Sequence, residues 1–516
     1  MQQLTSIVEW LQTIFTPLRD LTLAVVPAEW IGSLPVLTLI VFSILALVVG
    51  LKYNPLIVSF IGVGLATIQM VIFDNSVYGS SFGGLFVRDA FADFFIYIIL
   101  LVAFLVLMSS TLFGGDKGPY NFLLLISFAG AIWVVMATDL IALFLAWELM
   151  STPTYILVAL GPYRGAIDGA TKYFVMGLLS TTLMVFGIAL VFGITGVTSL
   201  TALATQVDII WNATAVAGPA AYTLILAMIM FAISFGFKIG IFPGHMWVPD
   251  TYSTADGSVT SYLAGATKKT GISALIRILL VGFFVARLEW YGLIVVIAIL
   301  TMVIGNVMAL AQKDIMKMLA YSSIAMMGYL FIGIAAAGAA ASLDVAIAAD
   351  VAQFGIGAAF FHAFIHAIMK VAAFILIFAL SIKLKTRIKY DDLAGLSKRA
   401  PLMAAMLAII VLSLAGMPLT AGFWSKLLLF QGAVIAGLWW LAIIGLLNSV
   451  FSLGYYLRVL KYTYMEEPSD DSKIKLAKMP TLAVILCGIA LIVLFIFPGI
   501  IWDYAFIAAE SLMQIP

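Results

Sequence analysis

Seven basic side chains, Lys172, Lys238, Lys268, Lys269, Arg277, Lys370 and Lys426, fall inside or at the ends of long apolar segments. One carboxylate, Glu148, does the same in the run DLIALFLAWELMSTPTYILVAL. A charge at the centre of a bilayer costs ~2.5–3.5 kcal/mol even on lenient insertion scales, and residues kept at that cost mark ion or proton paths. Ionisable groups in nearly every second apolar segment therefore point to a chain that moves charge through a membrane.

The groups differ in what they offer. Glu148 lies mid-segment. It is either a protonated carboxyl hydrogen-bonded to a backbone carbonyl or the partner of Lys238 across the bundle, because an unpaired carboxylate in hydrocarbon is too costly to keep charged. Lys238 stands five residues before Pro243, where the helix is predicted to unwind. A desolvated lysine exchanges its proton when a carboxylate approaches or withdraws; snorkelling to the interface is the plainer alternative. His362, His366 and Lys370 recur every fourth residue in FFHAFIHAIMKVAAF, which stacks three proton carriers on one helix face at ~6 Å steps. Metal binding is the rival reading, but two histidines with no nearby Cys or carboxylate make a poor site. Lys268 and Lys269 project ~100° apart, so only one is expected to face the bundle interior while the other reaches a neighbouring helix or the interface. Lys426 follows the Gly/Pro-rich stretch LSLAGMPLTAGFWSK and could exchange protons with the exit side.

The bulk composition fits a membrane chain. Of 516 residues 64% are hydrophobic and 10% charged, against about one quarter charged for a soluble domain. The single cysteine, Cys487, lies in LAVILCGIALIVLF and reads as a small buried hydrophobe; one Cys and no CxxC leave no means of building a disulfide or an iron–sulfur cluster. GIGAAF at Gly355–Phe360 sits in an apolar helical pattern rather than between a strand and a helix, so it is no nucleotide fingerprint. No catalytic, cofactor-binding or metal residues are expected in this chain. The polar stretch Met465–Lys478 reads as a solvated loop.

With ~20 residues needed to cross ~30 Å of hydrocarbon, the pattern predicts an all-α integral membrane protein of about fourteen spans. Their ranges are 34–51, 54–73, 91–113, 120–137, 139–160, 170–193, 221–243, 255–284, 289–310, 318–337, 347–381, 401–434, 437–460 and 480–502. Pro243 and Pro249 should interrupt span 7, and Gly416, Pro418 and Gly422 should break span 12. Spans 5 and 10 share an acidic lead-in and a polar cluster, and broken, lysine-bearing spans recur five apart. That spacing suggests two inverted five-helix repeats. The implied division is 1–118 (an amphipathic interfacial segment, SIVEWLQTIFTPLRDL, without signal-peptide features, then spans 1–3), 119–284 (spans 4–8), 285–462 (spans 9–13) and 463–516 (loop, span 14 and tail). Loops after odd-numbered spans carry the basic residues, among them Lys383, Lys385, Arg387 and Lys389, whereas the opposite side holds Arg19, Arg88 and Arg287. The positive-inside rule then puts both termini outside a prokaryotic plasma membrane.

LAWELMSTPTYILVAL, DGATKYFVMGLLST, FKIGIFPGHMWVPDTY, VTSYLAGATKKTG, QKDIMKMLAYSSIAMMGY, DDLAGLSKRAPLMAAMLAIIVLSLAGMPLTAGFWSKLLLF and YYLRVLKYTYMEEP occur in that order between about residues 89 and 468. Together they resemble the antiporter-like membrane subunits of respiratory complex I and its relatives. The last two segments are most similar to subunit N (subunit 2) of proton-translocating NADH–quinone oxidoreductases and of archaeal deazaflavin dehydrogenases that reduce methanophenazine. The resemblance implies that Glu148 pairs with Lys238, that Lys268 is the central relay and that Lys426 is the terminal carrier; with His362, His366 and Lys370 they form the expected proton path. It also implies partners: antiporter-like M- and L-type and small membrane subunits, lipids, and a peripheral redox arm carrying Fe–S clusters and flavin or deazaflavin-linked centres, with a quinone or methanophenazine acceptor. No nucleic acid is implied.

Three departures stand out. Met326 occupies a position that is often histidine in the family, Asp168 replaces a common Glu, and HAFIHAIMK is more similar to M/L-type subunits and to multisubunit cation/proton antiporters. A subunit of a multisubunit Na+/H+ antiporter or of a membrane-bound hydrogenase complex is accordingly the alternative. A purely structural scaffold is the third reading, made expensive by so many intramembrane charges.

Overall fold

The computed structural model describes residue 13 and residues 15–73, 79–214, 218–468, 470 and 472–513. Most of the amphipathic stretch predicted at the N-terminus lies outside the described residues; its end forms the helix Thr16–Val25. Among the described residues ten helices are long and apolar enough to cross a membrane. They coincide with predicted spans 3 (Ala90–Ser109), 4 (Lys117–Met136), 5 (Leu140–Ala159), 6 (Ala166–Thr195), 7 (Pro219–Ile239), 9 (Arg287–Ala311), 10 (Ile315–Ala339), 11 (Val345–Leu384), 13 (Trp439–Met465) and 14 (Lys478–Ile496). Spans 1 and 2 are the 17-residue helices Leu34–Gly50 and Leu56–Ile72.

The two predicted breaks are present, and local chemistry explains them. Span 7 stops at Ile239 because Gly240 takes a left-handed backbone (φ 76°), and the chain resumes as the short helix Trp247–Thr254. The indole of Trp247 donates to the Phe237 carbonyl at 2.7 Å, satisfying one of the acceptors that the helix end leaves open. Span 12 stops at Ala415 with Gly416 at φ 80° and restarts as Ala421–Ile435. There Gly422 lets the two halves touch. A Cβ on it would lie 1.8 Å from the Ser413 carbonyl oxygen, and its own N–H donates to Ser413 Oγ at 3.1 Å.

Span 8 is less regular than its sequence suggests. Asp256 caps the helix Gly257–Tyr262, a π-helical turn follows at Leu263–Thr267, the helix Lys268–Arg277 comes next, and a second π-turn spans Ile278–Gly282. Every residue from Gly257 to Gly282 is buried. Span 11 is continuous for 40 residues, about 60 Å at 1.5 Å per residue, twice the hydrocarbon thickness. Spans 10 and 11 are buried nearly throughout, as central helices should be, whereas span 6 is mostly exposed. The glycines of the rejected nucleotide motif serve packing: Gly355 meets Gly333 of span 10 backbone to backbone.

Spans 5 and 10 share local detail. Asp139 caps span 5 and forms a β-bridge with Ser199, while Asp314 caps span 10 and forms one with Lys389. An additional helix, Leu200–Thr214, and a two-residue hairpin pairing Ser80–Ser81 with Phe86–Val87 were not foreseen from the sequence.

Candidate functional site

Lys238 is 3% exposed, and its Nζ donates to the Tyr173 hydroxyl at 2.6 Å. Tyr173 is stacked on Trp247 (ring centroids 4.3 Å apart) and lies within hydrogen-bond distance of Thr154 Oγ1 at 3.0 Å. Lys238 also lies over the rings of Tyr155 and Tyr173. Glu148 is half-buried on span 5; its Oε1 accepts from Thr181 at 2.7 Å and its Oε2 from Thr152 at 3.4 Å. The implied Glu148–Lys238 ion pair is therefore not formed as a direct contact. Each group has taken a hydroxyl partner, which solvates a charge without requiring the two long side chains to meet.

Lys268 and Lys269 are both fully buried, because span 8 is packed on every side rather than on one face. They project to different neighbours, and the second reaches an adjoining helix rather than the interface. Lys268 lies against the break in span 7: a Cβ on Gly240 would sit 3.2 Å from its Nζ, and the ammonium is 5.4 Å from the centre of the Tyr252 ring. Lys269 turns to span 11. Its Nζ is 2.7 Å from His366 Nδ1 and donates to the Ala264 carbonyl at 2.5 Å.

Span 11 brings its three predicted carriers together on one face. The His362 and His366 rings stack with centroids 5.9 Å apart. Lys370 Nζ donates to the Leu319 carbonyl at 2.9 Å and to Ser322 Oγ at 2.7 Å, and Ser322 is in turn hydrogen-bonded to Tyr456. At the far end His362 Nδ1 is 3.2 Å from Ser425 Oγ, one residue before Lys426. Lys426 Nζ donates to the Ala415 carbonyl at 2.8 Å and to Ser449 Oγ at 2.8 Å. It thus satisfies the terminal acceptor of the first half of span 12, at the negative end of that helix dipole. Its Nζ also lies 4.9 Å from the centre of the Tyr329 ring.

Two residues of the opening set stand apart. Lys172 is largely exposed and pairs with Asp250 at 2.6 Å, a carboxylate that Lys317 approaches from the other side at 3.3 Å. Arg277 makes a bidentate pair with Asp89 at 2.8 and 2.9 Å and lies over Phe91. That pair ties the end of span 8 to the cap of span 3 and reads as architecture. Among the described residues no group of three or more His, Cys, Asp or Glu could hold a metal ion.

Sequence reasoning missed the hydroxyl partners Tyr173, Ser322, Ser425 and Ser449, and it missed Lys269 as a member of the chain of contacts. Only Ser425, adjacent to Lys426, had a local signal.

Residues 137–452 match the family model described as the NADH:quinone oxidoreductase/Mrp antiporter transmembrane region. Over 455 residues the chain is 33% identical to NADH-quinone oxidoreductase subunit N of Acidithiobacillus ferrooxidans, covering 86% of this chain and 89% of that protein. It is 34% identical over 414 residues to F(420)H(2) dehydrogenase subunit N of Methanosarcina mazei, covering 78% and 80%. A chain of respiratory complex I from Thermus thermophilus superposes with a TM-score of 0.73 at 25% identity, covering 91% of this chain and 99% of that one. Matched along its length in sequence and in fold, the chain belongs to the family of antiporter-like membrane subunits shared by NADH:quinone oxidoreductases and Mrp antiporters.

Proposed function

We propose that this chain is a proton-translocating membrane subunit of a redox-driven respiratory complex of the complex I type, moving H+ without a redox centre of its own. The observation that carries the reading is a series of buried titratable side chains running from one broken helix to the other. Lys238 stands at the break in span 7, Lys268 packs against that break, His366, His362 and Lys370 share one face of span 11, and Lys426 stands at the break in span 12. A structural scaffold has no use for so many costly groups in one line.

In this reading Glu148 acts on Lys238 at a distance. A carboxylate that draws nearer or withdraws changes where the lysine proton rests. The Tyr173 hydroxyl accepts a hydrogen bond from the lysine and holds it at the break. The proton then passes by way of Lys268 to the span 11 face and leaves from Lys426, whose ammonium is held by a carbonyl and a serine hydroxyl. The two breaks expose backbone acceptors inside the bundle, which is where ion sites form in transporters built from paired repeats.

The same reading places the residue ranges 119–284 and 285–462 as two repeats of inverted topology, with 1–118 and 463–516 flanking them. It puts both termini outside and the basic loops in the cytoplasm of a prokaryotic cell. Partner subunits carry the Fe–S and flavin or deazaflavin-linked centres, and electrons end on a quinone or methanophenazine.

Mild extraction of the tagged chain and identification of its partners tests this. Recovery of iron–sulfur and flavin or deazaflavin subunits supports it. Recovery only of other antiporter-type subunits, with Na+-driven proton exchange in vesicles, would replace it by the multisubunit Na+/H+ antiporter.

A further inference from the structure

The adjacent lysines of span 8 look in different directions. Lys268 lies against Gly240 at the break in span 7, and among the described residues its Nζ has no hydrogen-bond partner. Lys269, one residue on, reaches His366 Nδ1 at 2.7 Å and the Ala264 carbonyl at 2.5 Å. Ala264 lies five residues earlier, inside the π-turn Leu263–Thr267, so the turn supplies that acceptor. A π-turn sacrifices regular helix geometry, and such turns are found at functional sites more often than elsewhere. From His366 the contacts run on through the stacked His362 ring to Ser425, beside Lys426.

We propose that Lys269 is itself a proton carrier, the link through which a proton on Lys268 reaches His366. This joins the part of the path at span 7 to the part at span 12, and it rests on the proton-translocating reading above. The step balances without any co-reactant. With the proton of neutral His366 on Nε2, the Lys269 ammonium gives one proton to the lone pair of His366 Nδ1 and becomes an amine; the imidazolium so formed loses its Nε2 proton toward His362; the ring turns over to restore its starting tautomer, and the amine is recharged from Lys268. His366 Nε2 is buried with no hydrogen-bond partner among the described residues, which leaves it open for that release.

The test uses the assembled complex in sealed vesicles, with Lys269→Met, Lys269→Arg and Lys238→Ala compared at matched assembly. Arginine keeps the charge and the donors but does not give up its proton in proteins, so it separates carrying a proton from holding a charge. Both Lys269 variants should assemble and deliver protons at a rate ~100-fold lower or worse, the scale of a lost acid–base group. Normal delivery by Lys269→Arg beside a defective Lys269→Met would make Lys269 an electrostatic prop and overturn the inference. Normal delivery by both, with Lys238→Ala defective, would overturn it and leave the wider reading standing. Normal delivery by all three would remove that reading as well. If neither Lys269 variant assembles, Lys269 is a packing element and the inference fails.

Discussion

Tyr173→Phe removes one oxygen atom and nothing else from the first stage of the path. The ring keeps its stack on Trp247 and its edge contact with Tyr155, at centroid distances of 4.3 and 4.7 Å. Thr154 keeps its bond to the Ser151 carbonyl at 2.5 Å. Thr154 gives up only its 3.0 Å contact with the phenol, whereas Lys238 loses its hydrogen-bond partner at 2.6 Å. A hydrogen bond to a charged group contributes about 1.5–3 kcal/mol, and ~1.4 kcal/mol is a factor of ten. Proton transfer through Lys238 should therefore slow by roughly ten- to a hundredfold, while assembly stays near normal because packing is untouched. Acidification of the vesicle lumen, read with a trapped pH dye and normalised to the amount of complex, measures the rate. Wild-type acidification by fully assembled Tyr173→Phe complex would refute the idea that the hydroxyl holds Lys238 for transfer.

Glu148→Gln should lose much of the proton delivery, since an amide keeps the shape and removes the charge; the double variant with Lys238→Ala should lose less than the sum of the single losses, as coupled sites do. Delivery at wild-type rate by Glu148→Gln would show the carboxyl to be a packing element. Lys426→Ala should slow delivery without loss of the fold, because the Ala415 carbonyl it frees can still accept from Ser449, whose Oγ already approaches it at 3.4 Å; unchanged lumen acidification would remove Lys426 as the terminal carrier. Arg277→Met should reduce assembly on native gels, since breaking a largely buried ion pair costs ~3–5 kcal/mol, and Arg277→Met with Asp89→Asn should recover part of it. Equal assembly of the single and double variants would contradict the pairing.

What the sequence conveyed and what it concealed divide along a physical line. Apolar run length and the Gly and Pro residues around Gly240 and Gly416 located the spans and both breaks, because each is set by local backbone chemistry. The face shared by His362, His366 and Lys370 was legible for the same reason, as spacing by four fixes it on any regular helix. The π-turns of span 8 were not legible, because nothing in LAGATKK marks a departure from regular helix geometry, and that Lys269 meets span 11 rather than the interface depends on a helix some 97 residues away. The partners of Lys238, Lys370 and Arg277 were hidden for another reason: Tyr173, Ser322 and Asp89 lie 65, 48 and 188 residues away in sequence. Lys172 looked intramembrane from its apolar neighbours, yet it lies near the end of span 6, where Asp250 can reach it. The Glu148–Lys238 contact failed because side-chain rotamers let each group find a nearer hydroxyl.

The central claim is that a buried lysine at the break of span 7 carries the proton. Measuring lumen acidification by vesicles containing Lys238→Ala complex, beside electron transfer and assembly in the same preparation, addresses it most directly. The account predicts an assembled complex that has lost most of its proton delivery. Undiminished delivery at normal assembly would contradict it.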